Sequence, residues 1–98
     1  MIYNFEWDTA KAASNVRKHG VTFEQAAQVF LDPMALSIFD DETSSPGEER
    51  WVTLGKVKNQ YYLVVVHTIQ ARSAESIRIR LISARKATRN EILQYEQG

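Results

Sequence analysis

Ile77-Arg78-Ile79-Arg80-Leu81-Ile82-Ser83-Ala84-Arg85-Lys86-Ala87-Thr88-Arg89-Asn90-Glu91 opens as an alternation of apolar and basic residues and closes on a capping box. Alternation at period 2 marks a strand with one core face and one wet face. Residues 77–83 therefore read as a strand, with Ile77, Ile79 and Leu81 toward the core and Arg78 and Arg80 on the other side. Thr88 and Glu91 have the spacing at which side chains cap each other's amides, so a last helix runs from here to near Glu96. Between the two, Ser83-Ala84-Arg85-Lys86 reads as a short turn carrying a hydroxyl and two cations. From Arg72 to Arg89 there are six Lys/Arg and one acid, Glu75, in a chain whose net charge is zero. Such a concentration suits a polyanion, although basic runs also serve as plain solvated surface.

Outward from this stretch the chain alternates between strands and capped helices. Ile2 to Trp7 has an aromatic face (Tyr3, Phe5, Trp7) and reads as a first strand. Asp8 is a good N-cap for a helix from Thr9 to about Lys18, ended by Gly20. Ala12, Asn15, Val16 and His19 form one stripe on it. Thr22 and Gln25 make a capping box for a second helix, which Asp32-Pro33 ends. Strands follow at Ala35–Phe39, Arg50–Val57 and Tyr61–Thr68, and the acidic stretch Asp40 to Glu49 reads as a polar loop. Leu63-Val64-Val65-Val66 is continuously apolar, which suits a central strand covered on both faces. Three strand pairs joined by short turns imply a mainly antiparallel sheet of about four to five strands, with two N-terminal helices and a C-terminal one packed on one side. The class is α+β.

Composition narrows the chemistry. The 98 residues fit one domain, 1–98, and 44% hydrophobic content allows a core. With no cysteine there is neither a disulfide nor a thiolate metal site, and two distant histidines speak against zinc. The longest apolar run, Tyr61 to Val66, is short of the ~20 residues a membrane helix needs. The start lacks the basic and apolar regions of a signal peptide. The expectation is a cytoplasmic protein with no membrane partner, no metal and no cofactor. No phosphate-binding glycine loop or nucleophile elbow is present. The chemistry-bearing residues are Arg72, Arg78, Arg80, Ser83, Arg85, Lys86 and His67. Each has a structural reading too: Ser83 capping local amides, Arg85 paired with Glu91 or Glu96, and His67 bonded to neighbouring backbone.

The chain resembles the BrnT toxin family, the ribonuclease half of type II toxin–antitoxin pairs, which has a RelE-like fold. The resemblance rests on Phe5-Glu6-Trp7-Asp8, Lys11-Ala12, Asn15, Lys18-His19-Gly20-Val21, Phe23-Glu24-Gln25-Ala26, Val29-Phe30 and Asp32-Pro33. It continues through Glu48-Glu49-Arg50, Gly55, Val65-Val66-His67-Thr68 and Ile79 to Thr88, with Glu91, Tyr95 and Glu96. It implies a toxin that cleaves RNA without a metal and inhibits translation. It also implies a BrnA-like antitoxin that neutralises the toxin and carries the complex to operator DNA. Carried onto this sequence, the catalytic residues are Ser83 and Arg85, with Arg72 from the preceding loop. Here, however, Thr68-Ile69-Gln70-Ala71-Arg72 stands where the family carries a charged pair directly after the threonine. In the mechanism this suggests, the RNA 2′-hydroxyl attacks the adjacent phosphate. Arg85 and Arg80 stabilise the developing charge, and His67 or His19 is the base, His67 being the choice. Arg78, Arg80 and Lys86 hold RNA. The rival reading is a non-catalytic module that only binds RNA or protein. One geometric demand follows: a regular strand sends Ser83 and Arg80 to opposite faces, so both reach one phosphate only if the strand bulges or twists near Ile82.

Overall fold

A computed structural model describes residues 1–98. Strands β1 (Ile2–Glu6), β2 (Leu36–Ser45), β3 (Glu48–Val57), β4 (Tyr61–Ala71) and β5 (Ser76–Lys86) form one sheet in the order β1-β5-β4-β3-β2. All neighbours are antiparallel except β1 and β5, which run parallel from Ile2↔Ser76 to Glu6↔Arg80. Helix α1 (Thr9–His19) follows β1, and α2 (Phe23–Ala27) continues as a 3-10 turn, Gln28–Leu31. Helix α3 (Arg89–Gln97) closes the chain. The α+β expectation therefore holds, with β4 and its apolar run at the centre of the sheet.

The caps act as read. Asp8 Oδ1 accepts the amides of Ala10 and Lys11, and both Thr–Gln/Glu capping boxes close. Gly20 ends α1 with φ +68°, a conformation that costs glycine nothing. Phe23, Ala26 and Val29 then pack on Val57, Leu63, Val65, Ile79, Leu81 and Ala84 to make the core. The 3-10 turn approaches β3 so closely that a Cβ on Gly55 would lie 2.7 Å from Val29 Cγ1. Any larger residue there would push the turn off the sheet.

Three readings are corrected. The acidic stretch from Asp40 is not a loop: β2 runs to Ser45 and only Pro46-Gly47 turn. Cross-strand pairing overrides the polar composition, and an irregularity between Asp40 and Ser45 absorbs the misfit. There Asp40 accepts amides from Glu42 and Thr43. Next, Ser83-Ala84-Arg85-Lys86 is not a turn. It stays paired with β4 from Val66↔Ser83 to Leu63↔Lys86. Finally, the helices do not share one side. Tyr95 of α3 stacks on Tyr62, and Gly98 touches Leu36, on the face opposite α2. That face carries Leu54 and Val64, both buried, and α3 is the element that covers them.

Candidate functional site

β5 slips by one residue against β4. His67 pairs with Leu81, but Val66 pairs with Ser83, leaving Ile82 as an extra residue. This is a β-bulge, and it reverses the side-chain alternation. Before it, Ile79 and Leu81 are buried; after it, Ala84 is. Arg78, Arg80, Ser83 and Arg85 thus lie on one face, the face that a regular strand would have denied to Ser83 and Arg85.

The bulge has a mate on α1. β1 ends opposite Arg80, so β5 beyond it has a free edge. Asn15, 5% exposed, fills that edge: its amide nitrogen donates to Ala84 O (2.8 Å) and Val21 O (2.9 Å), and its oxygen accepts from Ala84 N (3.0 Å). One primary amide replaces a strand neighbour because it carries a donor and an acceptor. Ala84, the residue between Ser83 and Arg85, is fixed by it.

Each arginine of the row has an acid from another element. Arg78 Nε lies 3.6 Å from Glu6, and Arg80 pairs with Glu48. Arg85 meets Glu91 through two parallel bonds of 2.8 and 2.9 Å. Arg85 holds the Glu91 carboxyl down at about 2, and Glu91 in turn raises the guanidinium pKa. All three pairs are partly exposed, and such pairs are worth only about 0–1 kcal/mol. A phosphate can therefore compete for the arginines. The Ser83 hydroxyl has no partner within the chain, so it caps nothing.

Two clefts flank the bulge. One, of about 170 Å³, brings Ser83 and Ile82 against Lys11, Ser14, Lys18 and His19 of α1. The other, of about 190 Å³, is lined by Asp8, Lys11, Arg50, Arg80 and the backbone around Leu81. Lys11, Ser14, Asn15 and Lys18 share a helix face at i, i+3, i+4 and i+7. Arg50, on β3, belongs to the arginine face because it pairs with Thr68, whose hydroxyl accepts the Arg80 amide.

Other residues singled out in the sequence lie elsewhere. Arg72 is exposed in the β4–β5 turn. Ser83 is six residues along β5 from the Ile77↔Ala71 pair, roughly 20 Å at strand rise. Lys86 points to the α2 side, near Gly20, Gln25 and Tyr61. His67 is on the core face, 1% exposed, with its ring edge-on to Phe30. Its Nε2 lies 2.7 Å from Thr53 Oγ1 and its Nδ1 3.2 Å from Thr68 O. The Nδ1–H tautomer satisfies both: it donates to the carbonyl and accepts from the hydroxyl. Burial lowers its pKa to about 4. Because the unfolded chain binds this proton first, the contribution of His67 to stability is complete above pH 6.5 and lost as pH falls toward 4. The loss is about 3 kcal/mol at about 1.4 kcal/mol per unit. Denaturant midpoints at neutral and acid pH, compared with His67→Gln, should show this slope in the wild type and its absence in the variant.

Lys11, Lys18 and Arg50 were not singled out from sequence as site residues. They sit in stretches that carry the family resemblance, yet only the packing of α1 on the β5 edge and the register of β3 bring them to the bulge. No three His, Cys, Asp or Glu side chains converge as a metal site would require. No helix is long and apolar enough to cross a membrane.

The last strand of an α+β sheet thus gathers arginines and an unpartnered hydroxyl beside a cleft lined by α1. The comparisons make the class specific. The family model described as "Ribonuclease toxin, BrnT, of type II toxin-antitoxin system" matches residues 7–91, and the chain belongs to that family. Among solved structures it is similar to the Brucella abortus ribonuclease toxin BrnT, determined at 1.1 Å. The TM-score is 0.58 at 18% identity, over 91% of this chain and 100% of that one. At that identity the likeness is one of fold. No curated protein matches the chain.

Proposed function

We propose that the chain is a single-domain endoribonuclease toxin that works at the bulge of β5, cutting RNA without a metal and thereby stopping translation. One observation carries the reading: the slip at Ile82 puts Arg80, Ser83 and Arg85 on one face, with Ser83 open to a cleft. In the reaction the RNA 2′-hydroxyl attacks the neighbouring phosphorus and the 5′-oxygen leaves. The products are a 2′,3′-cyclic phosphate and a 5′-hydroxyl. Negative charge grows on the phosphoryl oxygens, and fixed guanidinium donors of Arg85 and Arg80 oppose it, an effect usually among the largest in catalysis. The Ser83 hydroxyl orients the phosphate. Arginine cannot act as the base, since it keeps its proton. The imidazole that shares a cleft with Ser83 is His19, and it takes the acid–base role that buried His67 has no access to perform. Arg78 extends the cationic row.

The partner is a cognate BrnA-like antitoxin, supported by membership of a toxin–antitoxin family. It covers the cationic face and, in complex, brings the toxin to its own operator DNA.

Incubating the purified chain with labelled RNA, alone and in a translating extract, is the test. Fragments ending in 2′,3′-cyclic phosphate should appear and should persist in EDTA. Intact RNA in both settings overturns the nuclease reading in favour of a binding module. Cleavage abolished by EDTA overturns the metal-free mechanism.

A further inference from the structure

Arg50 presents an unexplained feature: its Nε is shut off from solvent and hydrogen-bonds nothing in the chain. A buried donor on a charged group normally has a partner. Arg50 lines the same cleft as Lys11 and Arg80, and the only acid there, Asp8, already spends one oxygen on the α1 amides. Lys11 also lines the neighbouring cleft, with Lys18 and Ser83. The two clefts share Lys11 and Ile82 in their linings and adjoin there, as a groove interrupted at the bulge. Its cations come from three separate elements: Lys11 and Lys18 from α1, Arg50 from β3, Arg80 from β5. None of these except Arg80 has an acid within ion-pair distance.

We infer that this groove between α1 and the β5 bulge is a backbone-tracking site for single-stranded RNA, in which Arg50 with Arg80, and Lys18 with Lys11, seat the phosphates on either side of the one at Ser83. This rests on the reading of the chain as an RNA-cutting toxin and adds the residues that hold the strand. The chemistry fits the ligand. Arginine offers a planar fork for phosphate oxygens, and lysine a mobile point charge. Neither reads bases, so the groove selects for a chain of phosphates and not for sequence. Successive phosphates along a strand also answer a groove that is long and lined at intervals better than a single inorganic anion would.

Binding without cleavage isolates the groove. A short 2′-O-methyl oligonucleotide lacks the attacking hydroxyl, so its affinity can be followed by fluorescence anisotropy over a series of salt concentrations. Each of Lys11→Ala, Lys18→Ala and Arg50→Gln should weaken binding equally for oligonucleotides of different sequence. Each should flatten the dependence of log affinity on log salt by about 0.7, the value for one phosphate contact on a single strand. Lys58→Ala removes the same charge in the exposed turn before β4 and should leave the slope unchanged. Circular dichroism confirms that each variant is folded. Groove variants with the wild-type slope overturn the proposal even if the wild type cuts RNA. A wild type that binds with the expected slope but never cuts ordinary RNA leaves the groove standing and overturns the nuclease reading.

Discussion

Arg85→Ala is expected to reduce RNA cleavage by about 10²–10³-fold, the usual effect of removing one preorganised donor to developing charge. Folding should hardly register the change. The side chain is 42% exposed, and its pair with Glu91 is the kind that contributes roughly 0–1 kcal/mol. Activity and stability therefore separate, and a thermal melt run beside the cleavage assay shows it. Glu91 engages Nη1 and Nη2 and Nη1 also reaches Lys86 O at 3.4 Å, leaving Nε without a partner in the chain while the carboxylate fixes the plane of the fork. Arg85→Lys keeps the charge and loses the fork, so it should recover only part of the rate. Ser83→Ala removes the unpartnered hydroxyl and should slow cleavage less than Arg85→Ala does. Growth arrest on expression should follow the same order. Wild-type cleavage and full toxicity in both alanine variants would sink the assignment of the site.

Asn15→Leu is expected to be the most damaging single change to the fold, on the order of 3–5 kcal/mol. It keeps the branched shape at a larger volume, and it strands Ala84 N, Ala84 O and Val21 O in a buried setting. Marginal domains have only about 5–15 kcal/mol in total, so the midpoint of urea unfolding should fall steeply. Asn15→Asp makes a sharper test. Its carboxylate still accepts from Ala84 N but faces two carbonyl oxygens with no proton to offer. The folded state then favours the protonated acid, its pKa rises, and stability returns as pH falls through that raised value. A midpoint for Asn15→Leu within about 1 kcal/mol of wild type would refute the role given to this amide, which is worth that much only if its bonds are dispensable. In the folded fraction cleavage should also drop, because Ala84 lies between Ser83 and Arg85, the two residues proposed to meet the phosphate.

The local signals were strong. Asp8, the two capping boxes and Gly20 announce helix ends through donors and acceptors only a few residues apart, so sequence alone carries them. The apolar run at Leu63–Val66 announced a central strand for the same reason: burial on both faces leaves no alternation. Two readings failed because distant pairing outweighs local composition, and a third because the side on which α3 packs is set only in the folded sheet. Asp40 to Ser45 looks like a loop by its residues, yet β3 supplies a ladder for it. Ser83 to Lys86 looks like a turn, yet β4 on one edge and Asn15 on the other hold it extended.

The sequence by itself determined the α+β class, the strands and helices that build it, and a basic stretch ending in Ser83-Ala84-Arg85. It even implied that Ser83 and Arg80 need a bulge between them to share a face. Only the tertiary structure decided that the bulge exists, where the extra residue goes, and which histidine it faces. Ile82 becomes surplus through the register of β5 on β4, and His67 and Phe30 meet through the packing of the 3-10 turn on the sheet. Lys11 and Lys18 come to the bulge because α1 covers the edge that short β1 leaves open, and Arg50 comes there through the register of β3 on β4. A side chain's chemistry is local, but the face it presents is set by hydrogen bonds to residues dozens of positions away.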